Sequence, residues 1–207
     1  MDLMILVSFL GVAIFLTVMP GPDNLFVMIQ SISQNKKAGI ATSLGLCTGL
    51  IVHITAATVG ISAMVYQSAL AFSIVKYVGA AYLLYLAFQS FREKDSILLN
   101  GKQKPLDYSA LYKKGILMNI LNPKVSIFFL ALLPQFVVPS SIGVSVQMMI
   151  LGGIFLVQAL IIFTLISVFS EKVRDVLSGK PAIAKRMNVI KGSLLTLIGL
   201  QIALSQK

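Results

Sequence analysis

The sequence has little charge, a single cysteine and no tryptophan. Of its 207 residues 12% are charged and 57% are hydrophobic, whereas soluble domains usually carry about 25% charged and roughly 45–50% apolar residues. A chain of this composition cannot cover a water-facing surface, and its mean hydropathy of +0.91 indicates an integral membrane protein. The lone Cys47 excludes an intramolecular disulfide, a CxxC redox pair and a cysteine-rich metal cage.

The sequence patterns of common enzymes and pumps are also absent. His53 is the only histidine, and neither an HExxH nor a GxSxG pattern occurs, so we predict no enzyme. The chain lacks a GxxxxGK[ST] loop, which argues against a primary pump driven by a nucleotide. One cysteine and one histidine are a poor ligand set for a soft metal. We therefore expect neither a cofactor nor a metal.

Six stretches are long and apolar enough to cross a bilayer, for which a helix needs about 20 residues. They cover residues 3–33, 38–64, 69–91, 115–138, 144–169 and 189–204. Residues 171–177 are expected to form a short amphipathic helix of their own. The sequence thus predicts an all-α integral membrane protein with six transmembrane helices and one transporter domain over residues 1–207.

Lysine and arginine are concentrated in three connecting segments, which hold fourteen of the 17 basic residues in a chain of net charge +10. The positive-inside rule places these segments in the cytoplasm and both termini outside it. Nucleic acid is not expected as a partner, because its binding requires a basic face on a soluble surface. The lipid bilayer is the expected partner of the apolar stretches. The fourteen residues are Lys36, Lys37, Arg92, Lys94, Lys102, Lys104, Lys113, Lys114, Lys172, Arg174, Lys180, Lys185, Arg186 and Lys191.

Three charged residues lie inside the predicted spans: Asp23, Lys76 and Lys124. A charge at the centre of a helix costs about 2.5–3.5 kcal/mol on insertion scales, so each requires a route to water or a function. Lys76 lies near a span end, where its long stem can snorkel. Asp23 and Lys124 lie deeper, and each directly follows a proline.

These prolines interrupt their helices. The first break removes the amide donors for the carbonyls of Leu16 and Val18, and the second frees the carbonyl of Asn119. Non-helical backbone at membrane depth is tolerated where it is buried in protein or lines a wet cavity. Simple packing kinks are the alternative interpretation. We predict a substrate site at the breaks, formed by Pro20, Gly21, Pro22, Asp23, Asn24, Asn119, Asn122, Pro123 and Lys124.

The two breaks also indicate an internal repeat. Placing Pro22 on Pro123 places Asp23 on Lys124, and each break then falls in the first helix of a group of three. We predict pseudo-repeats over about residues 1–91 and 115–205, joined by the cytoplasmic loop 92–114. Their topology is inverted, as in many secondary transporters, whose substrate sites lie between the repeats near the midplane.

Two further features have more than one interpretation. Gly45 and Gly49 form a GxxxG pattern, which is typical of close helix packing. His53 is one helical turn further on, where it can carry a proton or hydrogen-bond to a neighbouring helix. Asp23 is the other candidate proton carrier.

Five segments together resemble the LysE/RhtB family of bacterial amino-acid exporters, which includes threonine/homoserine-type efflux proteins. The likeness spans nearly the whole chain and depends on the order and spacing of the motifs more than on any one of them. The segments are Pro20-Gly21-Pro22-Asp23-Asn24, Lys36-Lys37-Ala38-Gly39, Gly45-Leu46-Cys47-Thr48-Gly49, Tyr77-Val78-Gly79-Ala80-Ala81-Tyr82-Leu83 and Asn119-Ile120-Leu121-Asn122-Pro123-Lys124.

The resemblance implies a secondary exporter of amino acids or their derivatives in the bacterial inner membrane, driven by an ion gradient. A cation or heavy-metal efflux protein of a related branch, and a membrane partner protein without transport, are the alternatives. A homo-oligomer is compatible with each. In the exporter, Lys124 is expected to meet the substrate carboxylate and Asp23 its ammonium, and the two side chains are expected to pair when the site is empty. A permanent structural salt bridge between them is the competing interpretation.

Overall fold

The computed structural model describes residues 3–19, 21–59, 69–92, 107–178 and 187–204. These residues form α-helices and no β-strand, so the all-α class is confirmed. Pro20, residues 60–64 of the second predicted span, the loop residues 93–106 and the side chain of Lys76 lie outside the described part. The helices are α1 (Leu3–Val18), α2 (Pro22–Ser33), α3 (Lys36–Thr58), α4 (Ala69–Arg92), α5 (Tyr108–Ile120), α6 (Pro123–Ile127), α7 (Val144–Ser178) and α8 (Met187–Leu204).

The first apolar stretch is broken where the sequence predicts. Helix α1 ends at Val18 and α2 begins at Pro22, with a bend of 55° between them. Proline suits the first position of α2 because the amide it lacks has no intrahelical partner there. Asp23 therefore stands in the first turn of a new helix, where the positive end of the helix dipole favours a carboxylate.

The second break lies between α5 and α6. The side chain of Asn122 caps α6, since its Oδ1 accepts a hydrogen bond from the amide of Lys124 at 3.0 Å. A π-helical segment (Phe128–Leu132) and a 3₁₀ segment (Leu133–Phe136) follow. The stretch 115–138 is thus less regular than the single broken helix expected from the sequence, and π-helical turns often accompany functional sites.

Two helices in the described part are long and apolar enough to cross a membrane, Lys36–Thr58 and Val144–Lys172. The bent pair α1 and α2 makes a third if it is one span. The chain is thus a helical membrane protein, and the full set of six spans stays a prediction. Residues 171–177 are not a separate helix, because α7 continues without interruption to Ser178.

Helix α3 packs between α5 and α7. A Cβ on Gly45 would collide with the carbonyl oxygen of Tyr112, and one on Gly115 would lie 2.5 Å from the carbonyl oxygen of Thr42. Glycines on both helices therefore let α3 and α5 approach backbone to backbone. Because Gly49 lies against Asn119 further along, the two helices run in the same direction.

A cluster of phenylalanines lies between α1, the π-helical segment and α7. Neighbouring ring centroids are 4.7–6.0 Å apart in tilted or edge-on arrangements, the geometry that aromatic quadrupoles favour. Phe9, Phe128, Phe129 and Phe155 are buried. The cluster fills the core beside the second break.

Contacts between helix ends show which helix termini lie together at each end of the bundle. Lys36 forms an ion pair with Glu171 at 3.1 Å, and the side-chain amide of Asn35 donates to the Tyr108 hydroxyl at 3.4 Å. At the opposite end of α3, the Ser145 hydroxyl donates to the carbonyl of Thr58 at 3.1 Å. The starts of α3 and α5 and the polar part of α7 therefore meet at one end, and α3 and α7 are antiparallel.

Candidate functional site

The Asp23 carboxylate is held by two side chains from the other break. The amide of Asn119 donates to its Oδ2 at 2.9 Å, and the amide of Asn122 donates to its Oδ1 at 2.8 Å. All three residues are buried. Asn119 lies in the last turn of α5 and Asn122 caps α6, so the interruption between these helices is what allows both side-chain amides to reach one carboxylate.

Lys124 does not pair with Asp23. Its Nζ donates to the carbonyl oxygen of Met19 at 2.7 Å, and the ion pair recorded within the described residues is Lys36 with Glu171. The expected empty-state pair, and likewise the permanent structural salt bridge, are absent from this structure. The reason is local: the end of α1 offers Lys124 a carbonyl acceptor, while neutral amides satisfy Asp23.

Asn24 closes the open end of α1. Its side-chain amide lies 2.6 Å from the carbonyl oxygen of Thr17 and 3.2 Å from those of Val18 and Met19. The carbonyl of Val18, which loses its usual donor at Pro22, thereby gains another. Asn24 thus donates to a carbonyl that the sequence predicted to be without its usual donor, and it stabilises the broken geometry.

At the second break, His53 likewise hydrogen-bonds to a carbonyl that a proline has left without its usual donor. Pro123 lacks the amide that would have bonded the carbonyl of Asn119, and His53 Nε2 lies 3.1 Å from that oxygen. A carbonyl oxygen only accepts, so Nε2 carries the proton in this contact. The ring also stacks on Phe129 at a centroid distance of 5.8 Å. His53 therefore makes a hydrogen bond to a neighbouring helix, which is one of the two roles that the sequence allows; the other is to carry a proton.

A small cavity joins the two breaks, and its water-accessible volume is about 20 Å³. Gly21 forms part of its wall, and a Cβ there would stand 3.4 Å from Lys124 Nζ, so the lysine side chain passes close over the glycine. The polar lining residues are Thr17, Gly21, Asp23, Asn24, Asn119, Asn122 and Lys124. The apolar lining residues are Leu16, Leu50, Val125, Phe155 and Phe163.

The cavity brings together most of the predicted site residues. Pro22 and Pro123 begin α2 and α6 beside it, whereas Gly45 and Gly49 lie in the contact between α3 and α5. Thr17 and the apolar wall were missed by sequence reasoning. Among them Thr17 carried a signal, since it is a hydroxyl residue in an otherwise apolar run, six positions before Asp23.

Two buried acceptors near the cavity have no hydrogen-bond partner: Asn119 Oδ1 and Gln158 Oε1. Each belongs to a side chain whose amide is in use, on Asp23 and on the Thr17 hydroxyl respectively. An unsatisfied buried acceptor costs about 1–3 kcal/mol.

No three His, Cys, Asp or Glu side chains gather as metal ligands in the described part of the chain.

An all-helical membrane bundle with two broken helices, whose interruptions share one cavity with an acid and a base on its wall, has the architecture of a secondary transporter. The chain belongs to the LysE type translocator family, whose model matches residues 14–206. The family resemblance of the motifs is confirmed, and the protein is a multi-pass membrane transport protein.

Relatives cover nearly the whole chain. It is 32% identical over 196 residues to the homoserine/homoserine lactone efflux protein of Salmonella typhimurium, which is 95% of this chain and 94% of the relative. The protein with that description in Salmonella typhi is equally similar. An uncharacterized membrane protein of Vibrio cholerae serotype O1 is 31% identical over 204 residues, 98% of each chain. No solved structure matches the chain.

Proposed function

We propose that the protein exports amino acids or amino-acid derivatives across the bacterial inner membrane as a secondary transporter coupled to the proton gradient. The observation that carries the proposal is the buried Asp23 carboxylate, which shares one cavity with Lys124 at the junction of two broken helices. Membership of the LysE type translocator family and the efflux proteins of Salmonella support the substrate class.

One acid and one base match the two charges of an amino acid. In our proposal Asp23 binds the substrate ammonium, while Lys124 leaves the carbonyl of Met19 and binds the carboxylate. The first turn of α2 adds positive dipole at the same place, and its cap residue Gly21 offers no side chain to the first amides. Pairing both substrate charges matters because an unpaired ion buried in protein costs several kcal/mol.

The same carboxylate provides a means of coupling. Asp23 is the acidic residue in the cavity wall, and it cannot bind a proton and the substrate ammonium at once. Release of the substrate outside frees the carboxylate for a proton, which then returns to the cytoplasm. Competition for one group thus links export to proton entry without any nucleotide.

The architecture we propose is six spans in two inverted three-helix repeats, with the basic segments in the cytoplasm and both termini outside it. The helix-end contacts support this order, because Lys36 with Glu171 and Asn35 with Tyr108 join starts or ends of basic segments at one end of the bundle. The antiparallel packing of α3 and α7, the second and fifth spans of this order, also agrees with the two crossings that the order places between them.

Neutralising the two charges tests the site. In Asp23→Asn, the amide of Asn119 can turn so that its unpartnered Oδ1 accepts from the new side chain, and we therefore expect normal insertion and folding. Because the substrate ammonium loses its charged partner, flux should fall roughly 100-fold or more. Lys124→Gln should have a similar effect, and the double variant should stay inactive. Flux is measured as amino-acid efflux from loaded vesicles, normalised to folded protein.

A control is available on α5, the helix that ends at the second break. Leu117 is half-exposed on α5, outside the cavity, and Leu117→Ala should leave flux unchanged. Wild-type flux in the double variant would refute the assignment of Asp23 and Lys124 to the substrate site.

A further inference from the structure

The two side-chain amides that hold Asp23 differ in what their own oxygens do. Asn122 Oδ1 accepts a hydrogen bond from the backbone amide of Lys124 at 3.0 Å and so caps α6. Asn119 Oδ1 is buried and has no partner. Because an ionised carboxylate only accepts, both side chains present their nitrogens to it, at 2.8 and 2.9 Å. Asn119 therefore has a spare acceptor close to the carboxylate, and Asn122 does not.

Protonation of Asp23 changes which of these hydrogen bonds can be made. One oxygen of a protonated carboxyl donates, and with both amides donating, its proton would meet a nitrogen instead of an acceptor. If Asn122 turned to present its oxygen, α6 would lose its cap. If Asn119 turns about its last side-chain bond, its oxygen leaves no partner behind, and Oδ1 takes the place of the nitrogen that faces Asp23 Oδ2.

The packing of α5 against α3 leaves room for this turn. Gly49 faces the Asn119 side chain, and a Cβ at this glycine would stand 3.0 Å from Asn119 Oδ1, closer than an ordinary van der Waals contact. The carbonyl oxygen of Ile116 borders the same place, 2.9 Å from that Cβ position. It offers an acceptor on the side to which the amide nitrogen would turn.

The titratable groups that face Asp23 offer its proton no comparable acceptor. Lys124 from α6 only donates, and His53 from α3 donates to the carbonyl of Asn119. The Cys47 thiol, also from α3, is near enough to interact electrostatically with Asp23, but sulfur is a weak acceptor. Within the described part of the chain, α1, α5 and α7 contribute no titratable side chain to the cavity lining.

We propose that Asn119 is the positioning residue through which Asp23 binds its proton: when Oδ2 is protonated, the Asn119 amide turns and its Oδ1 accepts the new hydrogen bond. Asn122 holds Asp23 and the start of α6 in both states. The inference rests on the proposed coupling, in which a proton replaces the substrate at Asp23 for the return step. The proton arrives from outside and leaves to the cytoplasm. The amide then turns back, and both nitrogens again meet the carboxylate that binds the substrate ammonium.

Two activities of the full chain in proteoliposomes separate this role from general damage. Exchange of labelled for unlabelled substrate needs the ionised Asp23, whereas efflux driven by a proton gradient also needs the protonated form. The probe is a mixture of labelled protein amino acids and homoserine. Asn119→Leu keeps a similar volume but neither donates nor accepts. We expect it to lower efflux roughly tenfold more than exchange, the effect of one buried donor left without an acceptor.

Asn122→Ser is the matched comparison, because it also removes one amide donor from Asp23 while serine still caps α6. It should lower exchange and efflux by the same factor, and Leu117→Ala, outside the cavity, should change neither. Equal losses of the two activities in Asn119→Leu, or the same fall in their ratio in Asn122→Ser, would overturn the inference and leave export in place. Wild-type efflux that ignores the proton gradient would remove the proposed coupling and the inference with it, and exchange of no probe would remove the proposed function as well.

Infrared difference spectroscopy of the wild-type chain needs no variant at Asn119. With isotope-labelled asparagine side chains, acidification should produce the band of a protonated carboxyl together with a shift of one asparagine carbonyl band to lower frequency, because that oxygen gains a hydrogen bond. Both changes should be missing in Asp23→Asn. A carboxyl band that appears without the asparagine shift would overturn the proposed turn of the amide.

Discussion

At the residue scale, the polar groups around the cavity divide into those that hold the helix breaks and the two charged side chains that we propose for substrate binding. Asn24 and His53 donate to carbonyls that lose their usual donors to proline. Asp23 and Lys124 lie on the cavity wall between these contacts. The carbonyls of Val18 and Asn119 are therefore met by neutral donors, while Lys124 donates to the carbonyl of Met19 and Asp23 accepts from the second break.

His53 is the residue for which this division gives a sharp test. A donor at Nε2 is all that the contact with Asn119 requires, so His53→Gln, which keeps an N–H at the end of a side chain of similar reach, should retain most export activity. His53→Ala removes this donor, while the backbone amide of Asn122 still donates to the carbonyl of Asn119 at 3.0 Å. We expect lower activity and a free energy of unfolding reduced by about 0.5–1.5 kcal/mol, the usual net contribution of one hydrogen bond. The measurement is proton-driven efflux as a function of pH, together with melting in detergent.

The opposite role would give a different pattern. If His53 carried the proton, His53→Gln would lose gradient-driven export while keeping exchange of substrate for substrate. Retained export with an unaltered pH profile would instead assign His53 a positioning role.

Sequence reasoning predicted which residues lie at the cavity more readily than it predicted their hydrogen-bond partners. Each proline predicts a break and names the carbonyl it frees, because the missing amide is a property of the residue itself. Which group meets that carbonyl depends on packing between distant helices. Opposite charges suggested that Asp23 pairs with Lys124, yet Asn119 and Asn122 are held closer to Asp23 by the end of α5 and the start of α6.

At the element scale, α3 connects the glycine contact to the site. Gly45 and Gly49 let α3 touch α5, and a Cβ on Gly49 would stand 2.8 Å from Cβ of Asn119. Asn119 in turn holds Asp23. The spacing of these glycines predicted close packing, but the partner helix and its link to the carboxylate required the structure, because a GxxxG pattern does not specify its partner.

Gly45→Ala should therefore disturb both stability and transport. The new methyl group would collide with the carbonyl of Tyr112, a backbone atom that cannot move aside without shifting α5. We expect a loss of about 1–3 kcal/mol, typical of overpacking, seen as a lower melting temperature in detergent, with lower efflux. Gly153→Ala on α7 is the control, because nothing lies within 4 Å of its Cβ position. Equal melting temperatures for the two variants would contradict the proposed contact.

The extent of α7 shows where local sequence signals fail. A change from apolar to charged residues near Glu171 suggested the end of one helix and the start of another. In the structure, one helix continues through Ser178. Charged residues such as Glu, Lys and Arg are good helix formers, so a change to charged residues does not by itself end a helix. The ion pair of Glu171 with Lys36 lies in this continuation and ties it to the start of α3.

At the scale of the whole molecule, export requires an energy source. The proposed competition between a proton and the substrate at Asp23 predicts that efflux from energised vesicles continues without ATP and stops when an uncoupler dissipates the proton gradient. Substrate exchange between equal concentrations should survive the uncoupler, because it needs no net driving force. ATP-dependent efflux that is insensitive to the uncoupler would refute the coupling.

The orientation of the bundle follows from its basic segments and gives the last prediction. Fourteen of the 17 basic residues fall in three connecting segments, and the described ends of these segments meet at one end of the bundle through Lys36 with Glu171 and Asn35 with Tyr108. Since positively charged segments are retained in the cytoplasm, this end should face the cytoplasm and both termini should face outward.

A reporter active only outside the cytoplasm should work when fused after Lys207 and be silent when inserted near Gly101. A cytoplasmic reporter should give the reverse pattern at the two positions. Activity of the external reporter at Gly101 alone would invert the topology. Activity of the same reporter at both positions would require an even number of spans between them, whereas the second three-helix repeat provides three.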